Sequence, residues 1–378
     1  MRTDDLLNFY RCDNRTETLL RALKDKSNKI ELNGVVGSGL ALIAAGVLET
    51  ELKEDVKKRP HLFVFDDKEQ AAYFMNDLEQ ILVENPRPVF IFPRSARVPY
   101  QEEITENANI AQRAEVLNEI NRGGEGCIIV SYPGALSEMV ITKKELSAQT
   151  FSIHVGNSFT LDFLDEVFLE YGFEKVDFVY EPGQYAMRGG IVDVFSYSFD
   201  HPYRIEFFGE EIESIRKFNP VSQLSVSKLT RATIVPNVGN KMLHESREAF
   251  FSFIPEDSVI WMTDVKSCEL GLQKELEKAT AHFERLEGET KRALPSELYL
   301  DPEVFKGLIE DFSVVEFGGG KTFPDRLTVS YGMTEQPAFN KHFDMIATNL
   351  IANNRNGYVN VIVSGQATQL ERLHDIFT

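Results

Sequence analysis

The chain has 378 residues, 43% of them hydrophobic and 26% charged, and carries a formal net charge of −19 at pH 7. That length is too great for one ordinary domain and predicts two or three, in a composition that excludes a disordered or fibrous chain. Cys12, Cys127 and Cys268 stand far apart, with no CxxC and no His in metal spacing, which excludes a disulfide framework or a cysteine zinc cluster.

The acidic balance sets the bulk field against nucleic acid, because phosphate binding needs Lys and Arg gathered at the duplex. Forty Lys and Arg still leave room for a local basic patch, and the acidity better suits a protein partner or mere solubility. The start, MRTDDLLNFYRCDNR, lacks a basic-then-apolar signal layout. The longest apolar run, 35–48, is broken by Gly and Ser and too short for a bilayer. A reduced, cytoplasmic protein without membrane contact is expected.

The first element of chemical interest is GVVGSGLA, 34–41. It matches the glycine places of the phosphate loop G-x-x-x-x-G-K-[ST]. Gly34 and Gly39 stand in those places, with Gly37 between them, but Leu40 and Ala41 replace the Lys and the Ser or Thr. In a working loop the Lys neutralises phosphate and the hydroxyl holds Mg²⁺. Three readings follow: a glycine-rich strand-to-helix turn, an ATPase working without its Lys, or a degenerate P-loop that keeps the fold and has lost hydrolysis.

Alternation of strand and helix continues from there. HLFVFDD (61–67) is a continuous apolar run suited to a strand covered on both faces. KEQAAYFMNDLEQIL (68–82) has helical spacing, with Ala72, Phe74, Leu78 and Leu82 on one stripe. PVFIFPR (88–94) reads as a strand, 110–124 as a helix stopped by Gly123-Gly124, and 126–136 as a strand running into a turn. The two Asp of FVFDDKE (63–69) have the wrong order for a helicase Asp-Glu motif and read as a charged strand end. The fold class expected is α/β: a degenerate P-loop, helicase-like parallel-sheet domain whose first half covers 1–149.

After residue 150 the texture changes. A helix over 161–172 precedes short alternating segments over 178–218, divided by Gly, Pro and Asp, which predicts an inserted α+β domain over 150–235. Within YRIEFFGEEIESI (203–215), alternation sends Tyr203, Ile205 and Phe207 to the core, with Ile212 paired inward. Arg204, Glu206 and Phe208 share the other face, and YAMRGG supplies Arg188. An exposed aromatic beside Arg has the composition of a protein interface. The competing reading tucks Phe208 under a loop and spends both arginines on surface ion pairs.

The α/β pattern resumes over 236–316, the return half of the first domain, with a strand over 257–264 and a long helix over 271–294. FGGGKTFPDRLTVSYGM has linker composition, placing a linker at 317–335. Its GGGKT (318–322) mimics the end of a phosphate loop, but the earlier Gly would fall on Val315 and Pro324 follows at once. The span 336–378 predicts a helix, a strand at YVNVIVSG (358–365) and a helix at ATQLERLHDIF. That is the start of a small α/β domain cut short, in a chain expected to be a fragment of something longer.

Several stretches together carry a family resemblance. PGQYAMRGGIVDVFSYSFDHPYRIEFFGEEIESIRKFNPVSQLS (182–225) resembles the second domain of the bacterial transcription-repair coupling factors (Mfd), which they share with the excision-repair subunit UvrB. FPRSARVPYQEEITENANIAQRAEVLNEI (92–120) resembles the coupling-factor segment with an LPY turn before an Arg-bearing helix. The resemblance covers most of 25–235, is fainter over 236–378, and departs at the short stretch 236–257. UvrB keeps an intact P-loop and a tyrosine-rich hairpin; this chain has neither, which favours the coupling factors. The resemblance implies an N-terminal UvrB-like module that recruits UvrA, with Arg188, Arg204 and Phe208 in the places of the UvrA-contacting residues. It implies that the RNA polymerase module and the ATP- and Mg-dependent DNA translocase lie beyond Thr378. It implies no catalytic or metal residue and no cofactor here, and a recruiting face covered by the C-terminal domain at rest. A UvrB-like helicase or NTPase domain and a structural, autoinhibitory clamp are the alternatives.

Overall fold

Strands without polar alternation organise the first part of the chain. The computed structural model describes residues 3–53, 58–82, 87–95, 107–123, 126–197, 201–237, 246–285, 293–339, 342–362, 364 and 366–377. β1 (Lys29–Asn33), β2 (His61–Val64), β3 (Val89–Ile91) and β4 (Ile128–Ser131) alternate with helices. β2 and β4 are buried along their whole length, as parallel strands covered on both faces must be. The helix Lys68–Ile81 is capped by Asp67, whose side chain accepts from Gln70 N. It turns Ala71, Phe74 and Leu78 to the sheet. The stripe thus runs through Ala71 and leaves Ala72 exposed, one position from the expected register. The LPY-like turn expected at 98–100 lies outside the described residues.

The middle of the chain is antiparallel except for one short parallel pair, 174–175 with 184–185. β5 (Val140–Ile141) pairs with β14 (Arg247–Glu248), and β6 (Phe151–His154) with β13 (Arg231–Ile234). Between them lies a second sheet of β7 (Glu174–Lys175), β8 (Gln184–Arg188), β9 (Ile191–Val194), β10 (Tyr203–Phe208), β11 (Glu211–Phe218) and β12 (Ser225–Leu229), which neighbour one another in chain order. One face packs Tyr185, Val192, Val194, Ile205 and Ile215 into a core continuous with that of the first sheet through Ile153, Phe250 and Ile260. At one end of the opposite face a small second core gathers Val179, Ala186, Phe195 and Phe218.

β15 (Val259–Met262), β16 (Ser313–Glu316) and β17 (Leu327–Ser330) return to the first sheet. Its order among the described residues is β17-β1-β16-β15-β2-β4-β3, every pair parallel. The helix after β15 begins at Val265 rather than 271, because Asp264 caps it by accepting from Ser267 N. Residues 286–292 of its expected span lie outside the described residues. β17 corrects the linker reading of its segment. Gly and Pro dominate the composition of 317–335, yet LTVS pairs with β1 and buries Val329.

The chain divides into two units, Met1–Met333 and Thr334–Thr378. The second contains the helices Phe343–Arg355 and Ala367–Phe377. Tyr358–Ile362, expected to form a strand, is not one. A strand needs a neighbour to take its backbone donors and acceptors, and none stands beside it among the described residues; Val363 and Gly365 lie outside them. No helix among the described residues is long and apolar enough to cross a membrane.

Candidate functional site

The glycine loop sits where the sheet predicts, between β1 and the helix Gly39–Lys53. Gly34 and Gly37 adopt φ of +67° and +56°, a region that costs a side chain strain. A Cβ on Gly34 would also fall 3.0 Å from Gly332 N. The segment after β17 lies across the loop: Tyr331 N donates to Asn33 O and Met333 N to Gly34 O, at 2.9 and 2.7 Å. A Cβ on Gly39 would fall 2.5 Å from Met333 Sδ. Gly39 N–H donates to Val36 O, and Ser38 Oγ to Asp77 at 2.6 Å. Leu40 and Ala41 are buried in the core with Ile43, Val47 and Trp261. The two positions that would carry phosphate chemistry therefore carry packing.

GGGKT leads into no helix. Thr322 Oγ1 donates to the buried Glu316 at 2.8 Å, and Glu316 also accepts from Val265 N at the start of the next helix. Its polar groups serve the join between β16 and its neighbours. Among the described residues no group of three or more His, Cys, Asp or Glu could hold a metal.

The outer face of the second sheet brings the other predicted residues together. Register places Ala186, Asp193, Arg204, Arg216 and Lys228 in one lateral row across β8 to β12. Asp193 is fully buried and binds both predicted arginines. Arg204 Nε and Nη2 donate to its Oδ1 and Oδ2 at 2.7 and 2.8 Å, and Arg188 Nη2 donates to Oδ2 at 2.5 Å. The Asp193 hydrogen bond raises the Arg204 pKa above the usual guanidinium value. Arg188 also donates to Asp177 O and lies over the Phe178 ring, 4.8 Å from its centroid. Arg204 lies 4.4 Å over Phe218 and donates to Gln223 Oε1 at 3.1 Å. Arg216 of this row reaches Glu206 one row along and holds its carboxyl below the usual range.

Phe208 is 81% exposed at the end of β10, beside the Gly209 turn. The structure takes one geometric part from each reading of this stretch: the exposure of Phe208 and the pairing of both arginines. Both arginines are ion-paired, and Phe208 is tucked under nothing. Tyr203, Ile205 and Ile212 are buried as alternation requires, whereas Phe207 is only half-buried, at a register shift where its N–H donates to Gly190 O. Sequence reasoning missed Asp193 and Gln223. Asp193 had a signal: it stands between Val192 and Val194, both core residues, so it must share the outer face. Gln223 had none, since only the folded turn brings it to Arg204.

Residues 151–239 match the UvrB interaction domain. The chain is similar to the transcription-repair-coupling factor of Bacillus subtilis (strain 168), 28% identical over 233 residues covering 62% of this chain and 19% of that protein. It is 32% identical over 184 residues to that of Myxococcus xanthus, covering 47% of this chain and 15% of that one. It is 25% identical over 228 residues to UvrABC system protein B of Thermus thermophilus, covering 58% of this chain and 33% of that protein. The chain thus spans less than a fifth of the coupling factors it matches.

Proposed function

We propose that this chain is the UvrB-like module of a transcription-repair coupling factor, and that it recruits UvrA through the outer face of its second sheet. The observation that carries this reading is Phe208, a large aromatic 81% exposed on the face and strand that carry Arg204, where Arg204 and Arg188 are both fixed on one buried carboxylate. It lies inside the region that matches the UvrB interaction domain. An exposed aromatic on the same face as oriented guanidinium groups has the composition of a protein hot spot. In this reading Arg188, Arg204 and Phe208 make the contact. The glycine loop with Leu40 and Ala41 serves the fold rather than ATP hydrolysis. RNA polymerase, DNA, ATP and Mg belong to other parts of the whole protein, whose C-terminal domain covers the face at rest.

The test is titration of UvrA with the wild-type chain and Phe208→Ala, with circular dichroism on both. The expected cost is about 2 kcal/mol or more in binding. Unchanged affinity in a folded variant overturns the assignment of the face. A parallel titration with ATP is expected to show no binding by the wild-type chain.

A further inference from the structure

We infer that the docking face does not end at Arg204 but continues onto the turn 219–224, which supplies a second apolar anchor for the same partner. The inference rests on the recruitment reading above. Its starting point is a turn built against the usual chemistry. Asn219 Oδ1 accepts from Val221 N and Ser222 N at 3.0 and 2.9 Å, and Asn219 N donates to Leu224 O at 2.9 Å. Such an Asn-headed turn needs only polar or small residues at its tip. Here its tip carries Val221, 86% exposed, and Leu224, 70% exposed. Neither buries its apolar surface against this chain. Gln223 Nε2 donates to Val179 O at 3.4 Å, which ties the turn to the segment before β8, where the next residue, Tyr180, is 55% exposed.

The turn is fixed to the proposed contact rather than merely near it. Gln223 holds a left-handed φ of +58°, and its side-chain amide donates to Pro220 O at 2.7 Å. Its Oε1 accepts from Arg204. The guanidinium that faces the partner therefore also sets where Val221 and Leu224 stand. Phe208 lies four residues beyond Arg204 on β10, about 13 Å along the strand. The arginines thus sit between two apolar ends.

The middle of the face has a sign. Along the lateral row Arg204, Arg216 and Lys228 stand against the buried Asp193, with Glu206 paired to Arg216, while Asp177 adjoins Arg188 and Glu211 stands opposite Phe208 at the far end. Lys228 stands exposed at the end of the lateral row. On a chain of net charge −19 this is a local basic strip. The complementary surface is an acidic strip between two apolar recesses, one for Phe208 and one for the turn.

The experiment measures UvrA affinity and association rate for the full 378-residue chain. The variants are Val221→Ser/Leu224→Ser, Lys228→Glu and Phe208→Ala, each with circular dichroism. All the substituted side chains are exposed, so the fold is expected to survive. The turn double variant is expected to lose about tenfold or more in affinity, as a second hot spot would. Lys228→Glu is expected to lose several-fold, about all of it in association rate. If Phe208→Ala weakens binding while the turn variant and Lys228→Glu match wild type, the extension is overturned and the recruitment reading stands. If wild type itself does not bind UvrA, the recruitment reading falls and the extension with it.

Discussion

Asp193 decides what a substitution at either arginine measures. It is buried and balances two guanidinium groups, so Asp193→Ala leaves two partly buried cations without a counter-ion. Breaking a buried pair from one side costs about 3–5 kcal/mol, and chemical denaturation of Asp193→Ala should show a loss of that order. Arg204→Ala should cost less stability, since Arg188 still pairs the carboxylate. Any binding loss in Arg204→Ala therefore mixes recognition with local disorder of the 219–224 turn. Phe208→Ala has no such ambiguity: its midpoint of unfolding should match wild type while UvrA binding falls. Arg204 and Phe208 could be placed on the outer face from sequence because strand alternation has a period of two residues, whereas Arg188 was picked out only as the Arg before a Gly pair. Asp193 could be placed on the right face but not given its partners, because pairing across strands depends on register, and register needs the turns.

At the scale of elements, the helix Gly39–Lys53 shows what occupies the two positions where a phosphate loop would carry its Lys and its hydroxyl. Leu40 and Ala41 are buried in the core cluster that also holds Val47 of the same helix and Trp261 of β15. Restoring the lysine by Leu40→Lys should therefore destabilise the protein by about 2 kcal/mol or more, combining a lost apolar contact with a buried charge. A thermal melt reads that loss, and an ATP titration of the same variant should remain flat.

The same helix is tied to the sheet at its other end. Glu51 accepts from Arg59 and Arg87, and from Nε2 of His61, whose Nδ1 accepts from Trp261 Nε1. That tautomer is the neutral ring, in keeping with burial lowering the His61 pKa. Burial alone would raise the Glu51 pKa, but His61, Arg59 and Arg87 outweigh it and hold the carboxyl at about 2, below its ordinary 4.5. A carboxylate depressed on folding contributes stability above its unfolded pKa and loses it as pH falls through the folded one. Denaturation should thus show on the order of 2 kcal/mol lost between pH 4.5 and about 2, and Glu51→Gln should flatten that slope. The strands and helices of this layer were legible because their apolar runs are long. β17 was not, because the Gly and Pro around LTVS mask a short strand whose only warrant is the edge of β1.

Across the whole molecule, the basic strip stands out against a net charge of −19. Steering of an acidic partner surface to it weakens as salt screens exposed charges. Raising salt from about 0.05 to 0.5 M should slow UvrA association several-fold, leaving the apolar share of the dissociation rate nearly unchanged. The bulk charge alone pointed away from nucleic acid; only the fold gathers the cations onto one face.

The parallel pairing of β1 also sets a timetable. Its two neighbours in the sheet are β16 and β17, and Glu31 on β1 accepts from Arg326, 295 residues later. At about 5–20 residues per second, synthesis takes about 15–60 s to cover that distance. Until Ser313 is made, late in that interval, Ile30 and Leu32 have neither hydrogen-bonding neighbour. The antiparallel sheet of 174–229 closes on strands adjacent in sequence and can complete while β1 waits. On the nascent chain, the sheet that carries Arg204 and Phe208 can thus be finished before the layer beneath it.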